Sequence, residues 1–257
     1  MSGKLHLQDV KKSFGGRTVV NIGDITFGNH GIEGLIGPNG AGKTTLMKLI
    51  TRRLTADTGK ITYIFKGSEI NETPRRYSTD YLARMGVVQT NQIIRDFASL
   101  TIRDSLLLSL APASYEKFYK LSADKQLRKE TQAEIDSYFE YFHFENPDSH
   151  ALSAGEKKLL DIIRCLVLKP KFLLMDEPTA GLPEYVTQQV MEMMKKKAAD
   201  EEMSILIVEH DLDLIWSISE YVHFMAEGEI LIQGTPEEIR CHETVVEKYM
   251  GGTACSE

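Results

Sequence analysis

The chain has 257 residues, with 30 Lys and Arg against 37 Asp and Glu, which leaves a net charge of −7. With 42% hydrophobic and 26% charged residues it has the composition of an ordinary globular protein, long enough for one large or two small domains and for a core that needs no disulfide or metal staple. No run approaches the roughly 18–20 apolar residues of a membrane-spanning helix, the start Met1-Ser2-Gly3-Lys4-Leu5-His6 lacks the apolar centre of a signal peptide, and the acidic balance argues against a general nucleic-acid binder.

The first sixty-odd residues read as short strands. Leu5 to Val10 alternates apolar and polar side chains, the period of a half-buried strand. Gly15-Gly16 marks a turn before Thr18-Val19-Val20, Ile22 to Phe27 reads as a further strand, and Ile32 to Ile36 is a short apolar run ending at a glycine. A helix is predicted from Lys43 to about Thr51. Strand signals stop between Leu100 and Phe144, where Leu127, Ile135, Tyr138, Phe139 and Phe142 recur among charges as on an amphipathic helix. Residues 95–150 are therefore expected to form a helical insert. Helix and strand then alternate: a helix from Gly155 to Lys169, a buried strand from Phe172 to Met175, a helix from Glu184 to Ala198 and a buried strand from Ser204 to Val208. A hairpin across Glu227-Gly228 and a last helix before Gly251-Gly252 complete the series. This order implies an α/β core around a parallel sheet. The three cysteines, Cys165, Cys241 and Cys255, have neither disulfide nor zinc spacing, so free thiols in a reducing, cytoplasmic compartment are expected.

Two segments carry chemistry. Gly37-Pro38-Asn39-Gly40-Ala41-Gly42-Lys43-Thr44 fits G-x-x-x-x-G-K-[ST], follows a predicted strand and opens a predicted helix. Glycines let backbone N–H groups fold around phosphate oxygens, and the helix N-terminus adds a favourable dipole. Lys43 is placed to bridge the β and γ phosphates, and Thr44 to hold Mg²⁺. The second segment, Phe172-Leu173-Leu174-Met175-Asp176-Glu177, is an apolar strand ending in two acids. Alone, such a pair reads almost as well as a helix cap before Pro178. Downstream of a phosphate loop, Asp176 suits Mg²⁺ and Glu177 suits a general base for the attacking water.

With these residues in view the chain resembles a family. Leu152-Ser153-Ala154-Gly155-Glu156 is similar to the signature motif of ABC-type ATPases, and Asp176-Glu177-Pro178-Thr179 is similar to their Walker B segment. The resemblance covers nearly the whole chain. It implies a P-loop NTPase with a RecA-like α/β core, an antiparallel β subdomain and an inserted α-helical subdomain, all within one ABC ATPase domain spanning 1–257. It also implies a dimer in which each ATP lies between one phosphate loop, Gly37 to Thr45, and the partner's signature, Ser153 to Glu156. Ser153 independently reads as a helix N-cap with Glu156 as the acid of a capping box, which leaves N–H groups for an anion. The resemblance carries three further positions. Phe14 corresponds to the aromatic that stacks on adenine, Gln89 to the glutamine that reaches Mg²⁺ and the attacking water, and His210, in Ile207-Val208-Glu209-His210-Asp211, to the histidine that bonds the γ-phosphate. Ala154 and Glu156 depart from the commonest signature. Pro183 stands in the loop after Walker B where a polar residue often closes the motif, and reads as the N1 residue of the next helix.

Asp176 to Leu182, Val208-Glu209-His210-Asp211, the tail Gly228 to Ile239 and the final Tyr249-Met250-Gly251-Gly252 together resemble ATPase subunits of importers for branched-chain amino acids and related amides such as urea. That implies permease subunits as partners and, through them, a substrate-binding protein. It also implies a peripheral place on the cytoplasmic face of the inner or plasma membrane and no nucleic-acid partner. Thr90 to Thr101, with Ile93, Ile94, Arg95 and Phe97, lies where such subunits meet the permease. The alternative is a soluble ABC ATPase such as an iron–sulfur assembly factor, whose signature is similar to Gly155-Glu156-Lys157-Lys158. The basic pairs and triplets at Arg52-Arg53, Arg75-Arg76 and Lys195-Lys196-Lys197 read as solvated faces.

Overall fold

A computed structural model describes residues 3–65, 68–71, 79–90, 101–109, 125–144, 146, 149, 152–200 and 203–249. In chain order the elements are β1 (Lys4–Phe14), β2 (Arg17–Phe27), β3 (Ile32–Ile36), α1 (Lys43–Ile50), β4 (Thr58–Phe65), β5 (Ser68–Asn71), α2 (Thr79–Met85), β6 (Val87–Gln89), α3 (Ile102–Ser109), α4 (Lys125–Tyr141), α5 (Ala154–Val167), β7 (Phe172–Asp176), α6 (Glu184–Asp200), β8 (Ser204–Val208), α7 (Leu212–Ile218), β9 (Tyr221–Ala226), β10 (Glu229–Gly234), α8 (Pro236–Arg240) and α9 (Glu243–Lys248). They fall into two compact units, one of Met1–Thr90, Pro170–Pro178 and Met191–Glu257, the other of Asn91–Lys169 and Thr179–Val190.

The first unit holds two sheets. One is antiparallel, in the order β2-β1-β4-β5; the other runs β10-β9-β3-β8-β7-β6 and is parallel except at the β9–β10 hairpin. Thr18–Val20 and Ile22–Phe27, read as two strands, are one. Asn21 does not break it, because it pairs with Lys11 in the ladder and its side-chain amide donates to Glu229. The Gly15-Gly16 turn has positive φ at both residues, which fits the twist of a tight hairpin. β3, β7 and β8 are buried at every position, as their continuous apolar runs require when both faces of a sheet are covered. One hydrophobic cluster draws on both sheets and on α1, with Leu5, Leu7, Phe27, Leu46, Met47, Tyr63, Phe172 and Leu206 among its members. Tyr63 donates its hydroxyl to the Ile50 carbonyl at 2.7 Å, and burial pushes that phenol far above its ordinary pKa.

One buried acid ties the entry to β3. Glu33 and His223 are each 1% exposed. Glu33 Oε1 accepts from the N–H groups of Gly28, Asn29 and His30 at 2.9–3.1 Å, and Oε2 meets His223 Nε2 at 3.1 Å. Glu33→Ala strands these donors without water, so unfolding by urea should show a loss of about 3–5 kcal/mol. A loss below about 1 kcal/mol would mean the turn finds other acceptors.

In the second unit α3, α4 and α5 pack together. Ile135, Tyr138, Phe139 and Phe142 of the α4 stretch are buried at the spacing expected from the sequence. Arg103 pairs with Asp136 and lies over the Phe139 ring. Cys165 is a buried free thiol, whereas Cys241 is disulfide-bonded, where free thiols were expected. Residues 91–100 of the segment expected to meet a permease, along with Arg75, Arg76 and Cys255, lie outside the described residues. Among the described residues no helix is long and apolar enough to cross a membrane.

Candidate active site

Three neighbouring parallel strands bring the site together. β8 lies between β3 and β7. The phosphate loop leaves the C-terminal end of β3, Asp176 and Glu177 stand at the end of β7, and His210 follows β8. In an open α/β sheet this edge is where ligands bind. The Glu177 N–H donates to the Val208 carbonyl at 2.8 Å, which fastens the acid-bearing turn to the strand that leads to His210.

Gly37 and Gly42 are required by space as well as by conformation. A Cβ on Gly37 would stand 1.9 Å from the Met225 carbonyl oxygen, and Gly37 has φ 146°. Gly42, at φ 107°, caps α1 without any side-chain hydrogen bond, so the N–H groups of the first turn remain open. Asn39, Gly40, Ala41, Gly42, Lys43, Thr44 and Thr45 line a cleft of about 200 Å³ together with Val19, Val208, Glu177 and His210. Gly37 and Pro38 are not among its lining residues.

Lys43 is buried. Its ammonium donates to the carbonyl of Gly37 at 2.6 Å and to that of Pro38 at 3.1 Å. Burial pushes its pKa below the ordinary lysine value, and the carboxylates of Asp176 and Glu177 oppose that fall. Glu177 Oε1 and His210 Nε2 are 2.9 Å apart. Glu177 also holds a positive φ of 49°, uncommon for a side chain of this kind. Asp176 is 2% exposed, and its N–H donates to the hydroxyl of Thr90 at 3.2 Å. Thr90 was not anticipated, and only its place one residue beyond the β6 ladder singles it out.

Two expected members stand elsewhere. Gln89 does not line the cleft. It ends β6 in register with Leu174, and its side-chain oxygen accepts from the hydroxyl of Thr51, just past the C-terminal end of α1, at 3.1 Å. In this structure the Gln89 amide therefore stands at the C-terminal end of α1, away from the cleft lining. Phe14 is 48% exposed at the end of β1 and is not part of the cleft lining. The Lys12 ammonium stands 5.5 Å from its ring centroid, held by Asp57 at 2.7 Å. The hydrogen bond from Lys12, and then that from the Ser13 N–H, keep Asp57 below the usual carboxylate range.

The signature segment forms the capping box read from the sequence. Ser153 Oγ accepts from the Glu156 N–H at 3.2 Å, and Glu156 Oε2 accepts from the Ser153 N–H at 2.8 Å. Ala154 and Gly155 open α5. Pro183 is the N-cap of α6 rather than its N1 residue, because its carbonyl accepts from the Thr187 N–H.

The residues present suit a hard cation delivered with phosphate. The Thr44 hydroxyl and the Asp176 carboxylate are oxygen donors, while no group of three or more His, Cys, Asp or Glu converges among the described residues. That fits Mg²⁺, which is usually shared between one or two protein oxygens and substrate phosphates, better than a metal caged by protein alone.

Comparison with known proteins agrees with this geometry. The sequence profile of the family described as ABC transporter matches residues 22–180. The high-affinity branched-chain amino acid transport ATP-binding protein LivG of Salmonella typhimurium is 32% identical over 245 residues, covering 93% of this chain and 94% of the relative. BraF of Pseudomonas aeruginosa, of the same description, is 30% identical over 254 residues, covering 96% and 97%. The crystal structure of the ADP conformation of MJ1267, an ATP-binding cassette of an ABC transporter, superposes with a TM-score of 0.76 at 27% identity, over 98% of this chain and all of that one.

Proposed function

The chain belongs to the ABC transporter family of ATP-hydrolysing, ATP-binding subunits, and from that premise we propose that it energises an importer of branched-chain amino acids or related amides. The observation that carries the mechanism is a single cleft in which an open helix N-terminus and Lys43 face the Glu177–His210 pair. ATP phosphates lie against the backbone of Asn39 to Thr45. Lys43 exchanges the carbonyls of Gly37 and Pro38 for β- and γ-phosphate oxygens. Thr44 and Asp176 would hold Mg²⁺, which when bound neutralises charge developing on the transferred phosphoryl group. His210 turns from Glu177 toward the γ-phosphate, and Glu177 then orients and deprotonates the attacking water. Phe14 offers adenine an exposed ring face opposite Lys12.

The cleft supports a dimer. At about 200 Å³ it is smaller than pockets that enclose a ligand, roughly 300–1,000 Å³. A second copy would close it with the N–H groups of Ser153 to Glu156. The whole chain, 1–257, acts as one ATPase domain with a helical subdomain near 95–150. Its partners are permease subunits, and through them a binding protein that selects the cargo; its place is peripheral, on the cytoplasmic face of the membrane. The similarity to LivG and BraF favours this over an iron–sulfur assembly role. The test is reconstitution in proteoliposomes with multi-span permease subunits of a branched-chain amino acid importer. Uptake of leucine or urea that requires this chain and ATP supports the reading, and ATP hydrolysis with no permease association overturns the transport part.

The position of Gln89 yields a second test. Gln89→Ala should lower ATP turnover at least about tenfold when its amide leaves Thr51 to orient the attacking water, as loss of a water-orienting group does. A change of less than about threefold in a phosphate-release assay would take Gln89 out of the site.

A further inference from the structure

The acid-bearing end of β7 is fastened from both sides. β6 pairs Val87, Val88 and Gln89 with Phe172, Leu173 and Leu174, whereas β7 runs on beside β8, with Met175 opposite Ile207 and Asp176 opposite Val208. The Thr90 N–H donates to the Leu174 carbonyl at 3.0 Å. Bonds along one side of a parallel strand recur at every second residue, so the next would take the Asp176 N–H to the main-chain carbonyl of Thr90. The side chain receives it instead: the Asp176 N–H donates to Thr90 Oγ1 at 3.2 Å. On the opposite side, the Glu177 N–H donates to the Val208 carbonyl at 2.8 Å.

Burial and backbone shape show why the hydroxyl matters. Thr90 is 1% exposed and Asp176 is 2% exposed, so bulk water cannot take over the bond, and a buried N–H without an acceptor is costly. Glu177, the next residue, holds φ 49°, a conformation that a residue with a side chain keeps only where its surroundings fix it. The Thr90 hydroxyl and the Val208 carbonyl supply that constraint on two successive amides. The Asp176 carboxylate hangs from the same Cα as the first of them. Any shift of that amide therefore moves the carboxylate at the edge of the site.

We infer that Thr90 is a positioning residue: its hydroxyl stands in for a ladder carbonyl where β6 ends, sets the Asp176 backbone, and so governs how tightly Asp176 holds a divalent cation. This rests on the reading of Asp176 as a Mg²⁺ ligand. Thr90→Val keeps the branched shape and removes the acceptor. Mn²⁺ binding to the complex with a non-hydrolysable ATP analogue, read by electron paramagnetic resonance, should weaken about 2–10-fold, the range of one hydrogen bond. Thr90→Ser should restore it, and ATP affinity without divalent cation should stay within about twofold in both variants. Unchanged Mn²⁺ affinity in Thr90→Val, a loss that serine does not restore, or an equal fall in cation-free ATP affinity overturns the inference. A measurement on the unaltered protein guards against a variant that folds poorly. Hydrogen exchange at the Asp176 amide should be as slow as at Glu177, and exchange more than about tenfold faster overturns the inference. If Asp176→Asn leaves Mn²⁺ affinity unchanged, the reading of Asp176 fails and the inference with it; if Asp176→Asn weakens Mn²⁺ and Thr90→Val does not, the role of Thr90 alone is overturned.

Discussion

Glu177→Gln is expected to lower ATP turnover at least about a hundredfold while leaving ATP affinity within about threefold. The amide has nearly the shape of the carboxylate and can still bond His210, which stands 2.9 Å away. It cannot accept the proton of an attacking water, and a positioned general base contributes about 10²–10⁴ in rate. Binding rests on different atoms, the open N–H groups at the start of α1 and the Lys43 ammonium. The variant should therefore accumulate an ATP-bound dimer, visible by size-exclusion chromatography with ATP and Mg²⁺. Turnover within tenfold of the parent would move the base elsewhere, and ATP binding without any dimer would count against a site shared by two copies.

Lys43→Met should abolish tight ATP binding, with affinity falling about a hundredfold or more, because the proposed contacts of its ammonium with two phosphate groups are charge-assisted. The nucleotide-free protein should keep its stability within about 1 kcal/mol, since replacing a buried ion by an apolar chain of similar length is often near neutral. The physical reason is local. Burial opposes the ammonium, Asp176 and Glu177 favour it, and among the described residues two loop carbonyls bond it. Isothermal titration and urea unfolding on the same preparation separate the two effects. A loss of stability that matched the loss of affinity would make Lys43 a structural residue.

The parallel core was legible because burial on both faces leaves continuous apolar runs, as in Phe172–Met175 and Ser204–Val208. The phosphate loop was legible because its geometry fixes glycine and lysine at set intervals. Ser153 and Glu156 were legible because a capping box is written within four residues. Gln89 shows where such reading stops. Side chains alternate along a strand, so a shift of one residue turns a group to the other face. Gln89 meets Thr51, and the following residue, Thr90, meets Asp176. Nothing in Val87-Val88-Gln89-Thr90 says which of the two meets the Asp176 end of β7 until β6 is paired with β7. The Glu33–His223 contact joins residues separated by most of the chain, and no local spacing announces it.

The backbone of Glu177 has a consequence for anyone who would engineer this protein. At φ 49° a glutamate costs about 1 kcal/mol relative to glycine, which adopts that conformation freely. Selection for thermal tolerance alone would accordingly favour glycine or asparagine at this position and would discard the carboxylate proposed to activate water. Hardening the fold and keeping the catalyst are opposed demands at this residue, so any library screened by heat must hold position 177 constant or measure turnover alongside melting.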